Sequence, residues 1–276
     1  MKKYIIVIFI IVSQTFAQNS VQKPDTVGIG NKLLNDIELS FDNNLNFFSR
    51  PAEFNSSDWF KLAGVTVATG ALMTIDKEVQ IETAKHHSNF QNDITKVGKY
   101  YGEIVPIAVS AIGVYGGGLI FGNKEMRTTG RILIESLAAS GITTTILKSI
   151  IGRSRPYKNE GEFKFNFFET KTSNTSLPSG HTTVAFTIST VLAERIDNIY
   201  ASIGLYGLAS LTAYERIYDD RHWLSDTFLG AVIGISAGKF FSDLETESEN
   251  KKSNVSFQVA PYLNLECPGV SVLIQF

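Results

Sequence analysis

Between residues 59 and 241 the chain alternates long apolar runs with short polar breaks. Six runs stand out, at residues 59–75, 104–121, 132–151, 181–196, 199–218 and 223–241. Each is longer than the roughly 4–8 residues of a buried strand, so all six read as helices. Small residues recur inside them, as in Gly116-Gly117-Gly118 and again at Gly230 and Gly234. Such residues let helix backbones approach closely. The pattern predicts an all-α fold, a six-helix bundle over residues 58–243.

Both ends of the chain break this pattern. Residues 18–57 are polar and Asn-rich, with Pro24, Pro51 and little periodicity beyond Leu33, Leu34 and Ile37. They read as a loosely ordered arm with room for one short helix. After Asp243 the composition turns charged over residues 245–253, the pattern of a linker. Residues 255–262 and 270–276 then alternate in part around a Pro268-Gly269 turn signal, which predicts a small β-hairpin. Two strands cannot close a barrel, so residues 244–276 read as a linker and hairpin appendage.

Residues 1–17 have the order of an export leader: Lys2-Lys3, an apolar core, then small residues at Thr15 and Ala17. An uncleaved anchor is the competing reading, and either one puts the next segment outside the cytoplasm. Hydrophobic residues make up 43% and charged residues 19%, so apolar burial is ample. A nucleic-acid partner is not expected, because the clustered cations are few. Cys267 is the single cysteine, which leaves no internal disulfide and no cysteine metal cluster. His86-His87 sit in a polar stretch without a ligating carboxylate pattern and read as solvated.

Membrane signals are mixed. Mean hydropathy is only +0.04, and residues 104–123 alone form an uncharged window near the ~20 residues that span a bilayer. Loop cations favour neither side. If residue 18 were outside and every helix crossed, residues 148–155 would face the cytoplasm. A first helix that does not cross removes that conflict, and the expectation is membrane association with an outward-facing site.

The candidate chemistry lies at the ends of these runs. Lys148, Arg153 and Arg155 close the third run, Pro178-Ser179-Gly180-His181 opens the fourth, and Arg216, His222 and Asp226 surround the break between the fifth and sixth. Taken singly, each has a plainer explanation. Cations at a helix C-terminus meet its dipole, and an acid in a first turn does the same at the other end. Ser179 reads equally as an N-cap, and a lone His222 as an ordinary loop histidine.

Together they match the needs of phosphoryl transfer: cations for the phosphoryl oxygens, an in-line nucleophile and an acid for the leaving oxygen. Lys148, Arg155 and Arg216 offer the charge, with arginine forks suited to phosphate. A helix opening at Ser179-Gly180 would aim backbone N–H groups at an anion. His222 and Asp226 stand four apart and would share a helix face if the first turn held both. The carboxylate would then orient the imidazole, leaving His181 as general acid.

At these residues the chain resembles the type 2 phosphatidic acid phosphatase and vanadium haloperoxidase superfamily, with its signature K-x6-R-P, P-S-G-H and S-R-x5-H-x3-D. Lys148 to Arg155-Pro156 and Pro178 to His181 are complete matches. The third part keeps Arg216, His222 and Asp226 but has Glu215 where the signature has Ser. The resemblance covers residues 58–243 and agrees with the six-helix reading. It implies His222 as nucleophile, Asp226 as its orienting partner and His181 as general acid and then base. It further implies Lys148, Arg155, Ser179, Gly180 and Arg216 as phosphate ligands, with no metal and no organic cofactor.

The expected activity is hydrolysis of a phosphate or pyrophosphate ester of an envelope lipid. Alternating Phe163, Phe165 and Phe167 beside cations read either as an apolar lip for a lipid tail or as a short strand pinning the loop. A soluble periplasmic acid phosphatase is the alternative, and vanadate-dependent halide oxidation a more distant one. Nothing in the sequence speaks to oligomeric state.

Overall fold

The computed structural model describes residues 28–85, 88–253, 256–262 and 269–275. Residues 1–17, His86-His87 and Cys267 lie outside them, and with them the expectations for a leader and for two solvated histidines. Among the described residues there are nine α-helices: Ile29–Ser49 (α1), Ser56–Met73 (α2), Asp76–Lys85 (α3), Asn89–Tyr101 (α4), Ile104–Phe121 (α5), Lys124–Ile151 (α6), Gly180–Ile196 (α7), Ile199–Tyr218 (α8) and Leu224–Ser253 (α9). Helices α2 and α5–α9 answer to the six apolar runs. The chain divides into two compact units, residues 1–241 and 242–276. The second holds the end of α9 and an antiparallel strand pair, Ser256–Tyr262 (β1) with Gly269–Gln275 (β2).

In the first unit α5 packs on α6, α6 on α7, α7 on α8, and α4 on α8. The core gathers Ile132, Leu137, Val184, Ile188, Val191 and Phe241. Helix α7 buries hydroxyls as well as hydrocarbon. Thr187 Oγ1 donates to the Thr183 carbonyl at 2.8 Å and lies 3.1 Å from Ser140 Oγ, while Thr144 Oγ1 on α6 donates to Thr183 Oγ1 at 3.3 Å. Hydroxyls satisfied within or between helices in this way are buried without an orphaned polar group.

Four departures from the sequence reading share one cause, which is that a stretch poor in hydrocarbon can still form a helix. In place of a loosely ordered arm, α1 is a 21-residue helix whose inner face is polar. Asp36 accepts from Tyr115 Oη at 2.9 Å, and Ser40 and Asn43 donate to the Glu135 carboxylate at 2.7 and 3.3 Å. Helix α6 starts at Lys124, a turn and more before its apolar run. Asn123 caps it through the Met126 amide, and Arg127 and Arg131 are neutralised by Asp36 and Glu135.

Helices α3 and α4, short of hydrocarbon, have no counterpart among the apolar runs. Ser88 nevertheless caps α4 at the Gln91 amide, and Thr212 of α8 donates to the Gly98 carbonyl at 2.7 Å. In place of the charged linker, α9 continues to Ser253. The straight-chain Glu and Lys residues of that stretch are good helix formers.

Candidate active site

Helix α6 must end before Pro156, because a residue preceding proline is barred from the α region. It ends at Gly152, whose φ of +60° is a left-handed cap and whose absent side chain leaves room for the Asn166 carbonyl, 1.7 Å from where a Cβ would stand. The chain therefore turns sharply, and Lys148 on the last helical turn and Arg155 beyond it face the same space.

Lys148 Nζ donates to the Thr175 carbonyl at 2.5 Å and lies 3.4 Å from that of Ser176. Arg155 Nε donates to the Thr172 carbonyl at 2.8 Å. Among the described residues neither cation forms an ion pair with a carboxylate. Burial, reinforced by the charge of Arg155, pulls the Lys148 pKa down to about 7.

Opposite them, Ser179 occupies the N-cap position of α7 yet caps nothing with its side chain. Its hydroxyl accepts from Thr182 Oγ1 at 2.9 Å, and its amide donates to the Asp226 carbonyl at 2.9 Å. The plainer reading of Ser179 as a capping serine is therefore not what the structure shows. The first-turn N–H groups keep the anion-seeking character of a helix start. A Cβ on Gly180 would stand 3.8 Å from Lys148 Cε, and one on Gly230 of α9 would stand 2.6 Å from the Ser179 carbonyl. Glycine at 230 lets α9 come close to the start of α7, whereas at 180 a methyl group would make only ordinary van der Waals contact.

His222 precedes α9 rather than standing in its first turn, so the two residues do not share a helix face. Asp226 reaches back as a half capping box, its Oδ2 accepting from the Trp223 amide at 2.9 Å. The same oxygen lies 3.5 Å from His222 Nδ1. Ser176 Oγ donates to Asp226 Oδ2 and is 3.4 Å from His222 Nδ1. Nδ1 is thus turned toward the carboxylate, with Nε2 on the far side of the ring. Burial depresses the His222 pKa to about 3, against the opposing pull of Asp226, and Lys148 and Arg155 add to the depression.

His181 is partly exposed, its Nε2 3.7 Å from Glu103 Oε1. Burial first, then the charge of Arg216, lowers its pKa to about 4, with Glu103 opposing. Arg216 is buried on the last turn of α8 and clasped in a bidentate manner by Glu215, the residue standing where the signature has Ser. Burial raises the Glu215 pKa, and Arg216 opposes the rise.

Lys148 abuts Gly180, Arg155 acts electrostatically on both imidazoles, and Arg216 acts on His181. Among the described residues no three His, Cys, Asp or Glu side chains gather as a metal-binding group.

Several neighbours were invisible in the sequence. Arg153, read as a helix-end cation, is fully buried and donates to Asp226 Oδ1 at 2.7 Å. Asp76, Ser176, Trp223, Ser225 and Glu103 carried no local signal. The aromatic loop divides between its two readings. Phe165 forms a bridge with Arg153 and lies 5.9 Å from its guanidinium, while Phe163, Phe167 and Phe168 are exposed.

Residues 129–248 match the sequence profile of the PAP2 superfamily. A stretch of 92 residues is 37% identical to the lipid A 1-phosphatase of Porphyromonas gingivalis, covering 31% of this chain and 21% of that protein. A stretch of 137 residues is 27% identical to the lipid A 1-phosphatase of Rhizobium etli, covering 48% of this chain and 55% of the relative. The chain thus spans about a fifth of one curated relative and about half of the other. Among solved structures, the first transmembrane PAP2 type phosphatidylglycerolphosphate phosphatase from Bacillus subtilis superposes with a TM-score of 0.52 at 16% identity, over 67% of this chain and 96% of that one. Residues 129–248, which carry the signature in order, are thus similar to the PAP2 superfamily, and the chain shares the helical fold of that phosphatase.

Proposed function

We propose that the protein hydrolyses the phosphate ester of an envelope lipid, through a phosphohistidine at His222 and without a metal ion. The observation that carries this reading is the pairing of two carboxylate-free cations, Lys148 and Arg155, with a buried imidazole whose Nδ1 is turned to Asp226. Cations held only by carbonyl dipoles keep their charge available to an anion, and the helix start at Ser179-Gly180 adds backbone donors.

In the first step His222 Nε2 attacks phosphorus while the P–O bond to the lipid breaks, and His181 gives its proton to the leaving oxygen. Asp226 accepts from Nδ1–H and stabilises the charged ring. In the second step neutral His181 takes a proton from water, the oxygen attacks phosphorus, and the P–N bond breaks to return His222 and release phosphate. Lys148, Arg155 and Arg216 hold the equatorial oxygens with the amides at Ser179 and Gly180. Losing one such donor costs about 3–4 kcal/mol at the transition state.

A lipid substrate is supported by the relatives, both named lipid A 1-phosphatases, and by the apolar surface. Helices α5 and α9 are long and apolar enough to cross a membrane. Helix α1 turns Leu34, Ile37, Phe41, Leu45 and Phe48, a stripe at spacings of three and four, away from the protein. Phe163, Phe167 and Phe168 offer an apolar lip for an acyl chain. Helices α5–α9, with α4 packed on α8, form the catalytic core, residues 1–17 act as an export leader, and the site faces the periplasm.

The test is phosphate release from a panel of lipid A 1-phosphate, phosphatidic acid, phosphatidylglycerol phosphate, undecaprenyl diphosphate and p-nitrophenyl phosphate, with and without chelator. Turnover of the lipids that survives chelation is expected. Preference for the soluble ester, or loss of all turnover with chelator, contradicts the reading. A reporter fused after residue 150 reads the orientation.

A further inference from the structure

The fully buried Arg153 spends all five of its N–H donors. Nη1 donates to Asp226 Oδ1 and to Ser225 Oγ, both at 2.7 Å. Nη2 donates to Asp76 Oδ2 at 2.8 Å and to the Glu162 carbonyl at 2.6 Å, and Nε donates to the same carbonyl at 2.9 Å. The guanidinium also lies 5.4 Å from the Trp223 ring. Asp76, 1% exposed, closes the circuit from α3. Its Oδ1 accepts from the Ser225 amide at 2.9 Å, and its Oδ2 from Ser225 Oγ at 2.5 Å.

We infer that Asp76 and Arg153 are positioning residues for the His222–Asp226 pair, extending the catalytic machinery to helix α3, outside residues 129–248 that match the superfamily profile. The inference rests on the proposed role of His222 as nucleophile. Two physical effects support it. One is geometric: with Arg153 on Oδ1, and Trp223 and Ser176 on Oδ2, the Asp226 carboxylate has one orientation, the one that presents Oδ2 to His222 Nδ1. A lysine has three donors on a flexible stem and cannot reproduce a five-donor fork.

The other effect is charge. Arg153 alone would neutralise Asp226 and blunt its pull on the ring. With Asp76 present, two carboxylates face one guanidinium, and the group carries a net charge of about −1 that is balanced when His222 becomes cationic. A buried ion pair by itself would be a weak argument, because such pairs often serve only the fold. Here the third member is the carboxylate that touches the proposed nucleophile.

Asp76→Asn keeps the acceptor for the Ser225 amide and removes the charge opposite Arg153. Ser225→Ala removes the hydroxyl that bridges Asp76 and Arg153 with little change in volume. With p-nitrophenyl phosphate or phosphatidic acid in detergent micelles, kcat per folded molecule should fall ~10–100-fold in Asp76→Asn, with KM within about twofold of wild type. It should fall in the same direction, by less, in Ser225→Ala. Folded fraction is read by circular dichroism.

Wild-type kcat in a folded Asp76→Asn protein, or a loss that only tracks the fall in folded fraction, overturns the inference. If Asp76→Asn does not fold, Ser225→Ala decides, and wild-type turnover there overturns it equally. His222→Ala separates the two levels. Phosphate release that persists in His222→Ala defeats the nucleophile reading itself, whereas an inert His222→Ala beside a fully active Asp76→Asn defeats only the positioning role.

Discussion

Helix α6 carries a charge cluster near each end, and the two are built differently. Toward its start, Arg127 pairs with Asp36 at 3.4 Å and Arg131 with Glu135 at 2.8 Å, two cations against two carboxylates. At its end and just beyond, Lys148 and Arg155 rest on the carbonyls of Thr175 and Thr172. Carbonyl dipoles orient a cation and lower the cost of its burial, but they leave its charge unneutralised. The first cluster closes on itself and ties α1 to the bundle. The second keeps an excess of positive charge beside an imidazole, which is what a phosphoryl group requires. Cations with carboxylate partners and cations without them look alike in a composition count.

The largest effect that tests this contrast is at the nucleophile: His222→Ala should remove phosphate release to background, measured as kcat with every substrate that turns over. Next, Arg155→Ala should lower kcat/KM by about 10²–10³-fold while the thermal midpoint stays near wild type. Glu135→Gln should do the reverse, lowering unfolding free energy by about 3 kcal/mol in denaturant titrations and leaving kcat per folded molecule unchanged. A catalytic defect there would erase the distinction between the two clusters.

Two smaller effects depend on pH. Lys148, with its pKa held near 7, is charged below that value and loses its charge as pH rises through it. KM for a phosphate ester should therefore rise above about pH 7, and Lys148→Arg should move that rise to higher pH. Glu103 favours the charged form of His181, so Glu103→Gln should lower the His181 pKa further. The protonated acid is then lost sooner as pH rises, and the alkaline limb of the kcat/KM profile should shift toward lower pH, by less than one unit.

The two clusters also differ in how far they were legible. Lys148, Arg155, Ser179, Gly180, His181, Arg216, His222 and Asp226 announce themselves because each falls in a short run at a helix end, where spacing has chemical meaning. Asp36, Arg127, Arg131 and Glu135 announce nothing. Apart from the i,i+4 pair of Arg131 with Glu135, their contacts join residues about ninety positions apart, as between Ser40 and Glu135, and a polar helix face turned inward mimics an exposed arm. Even at the site, spacing misled once: His222 and Asp226 meet across a helix cap, not along a helix face.

The order of residues by itself determined the helical class, the six apolar runs and the eight signature positions. Periodicity and local chemistry are properties of neighbours along the chain. Only the tertiary structure decided that Ser176 and Glu103 stand against the two imidazoles, that Arg153 and Asp76 stand behind Asp226, and which cations keep their charge unanswered. Those are properties of neighbours in space. They arise because burial removes water and obliges every charged group to find its partner among whatever side chains and carbonyls the fold has brought within reach.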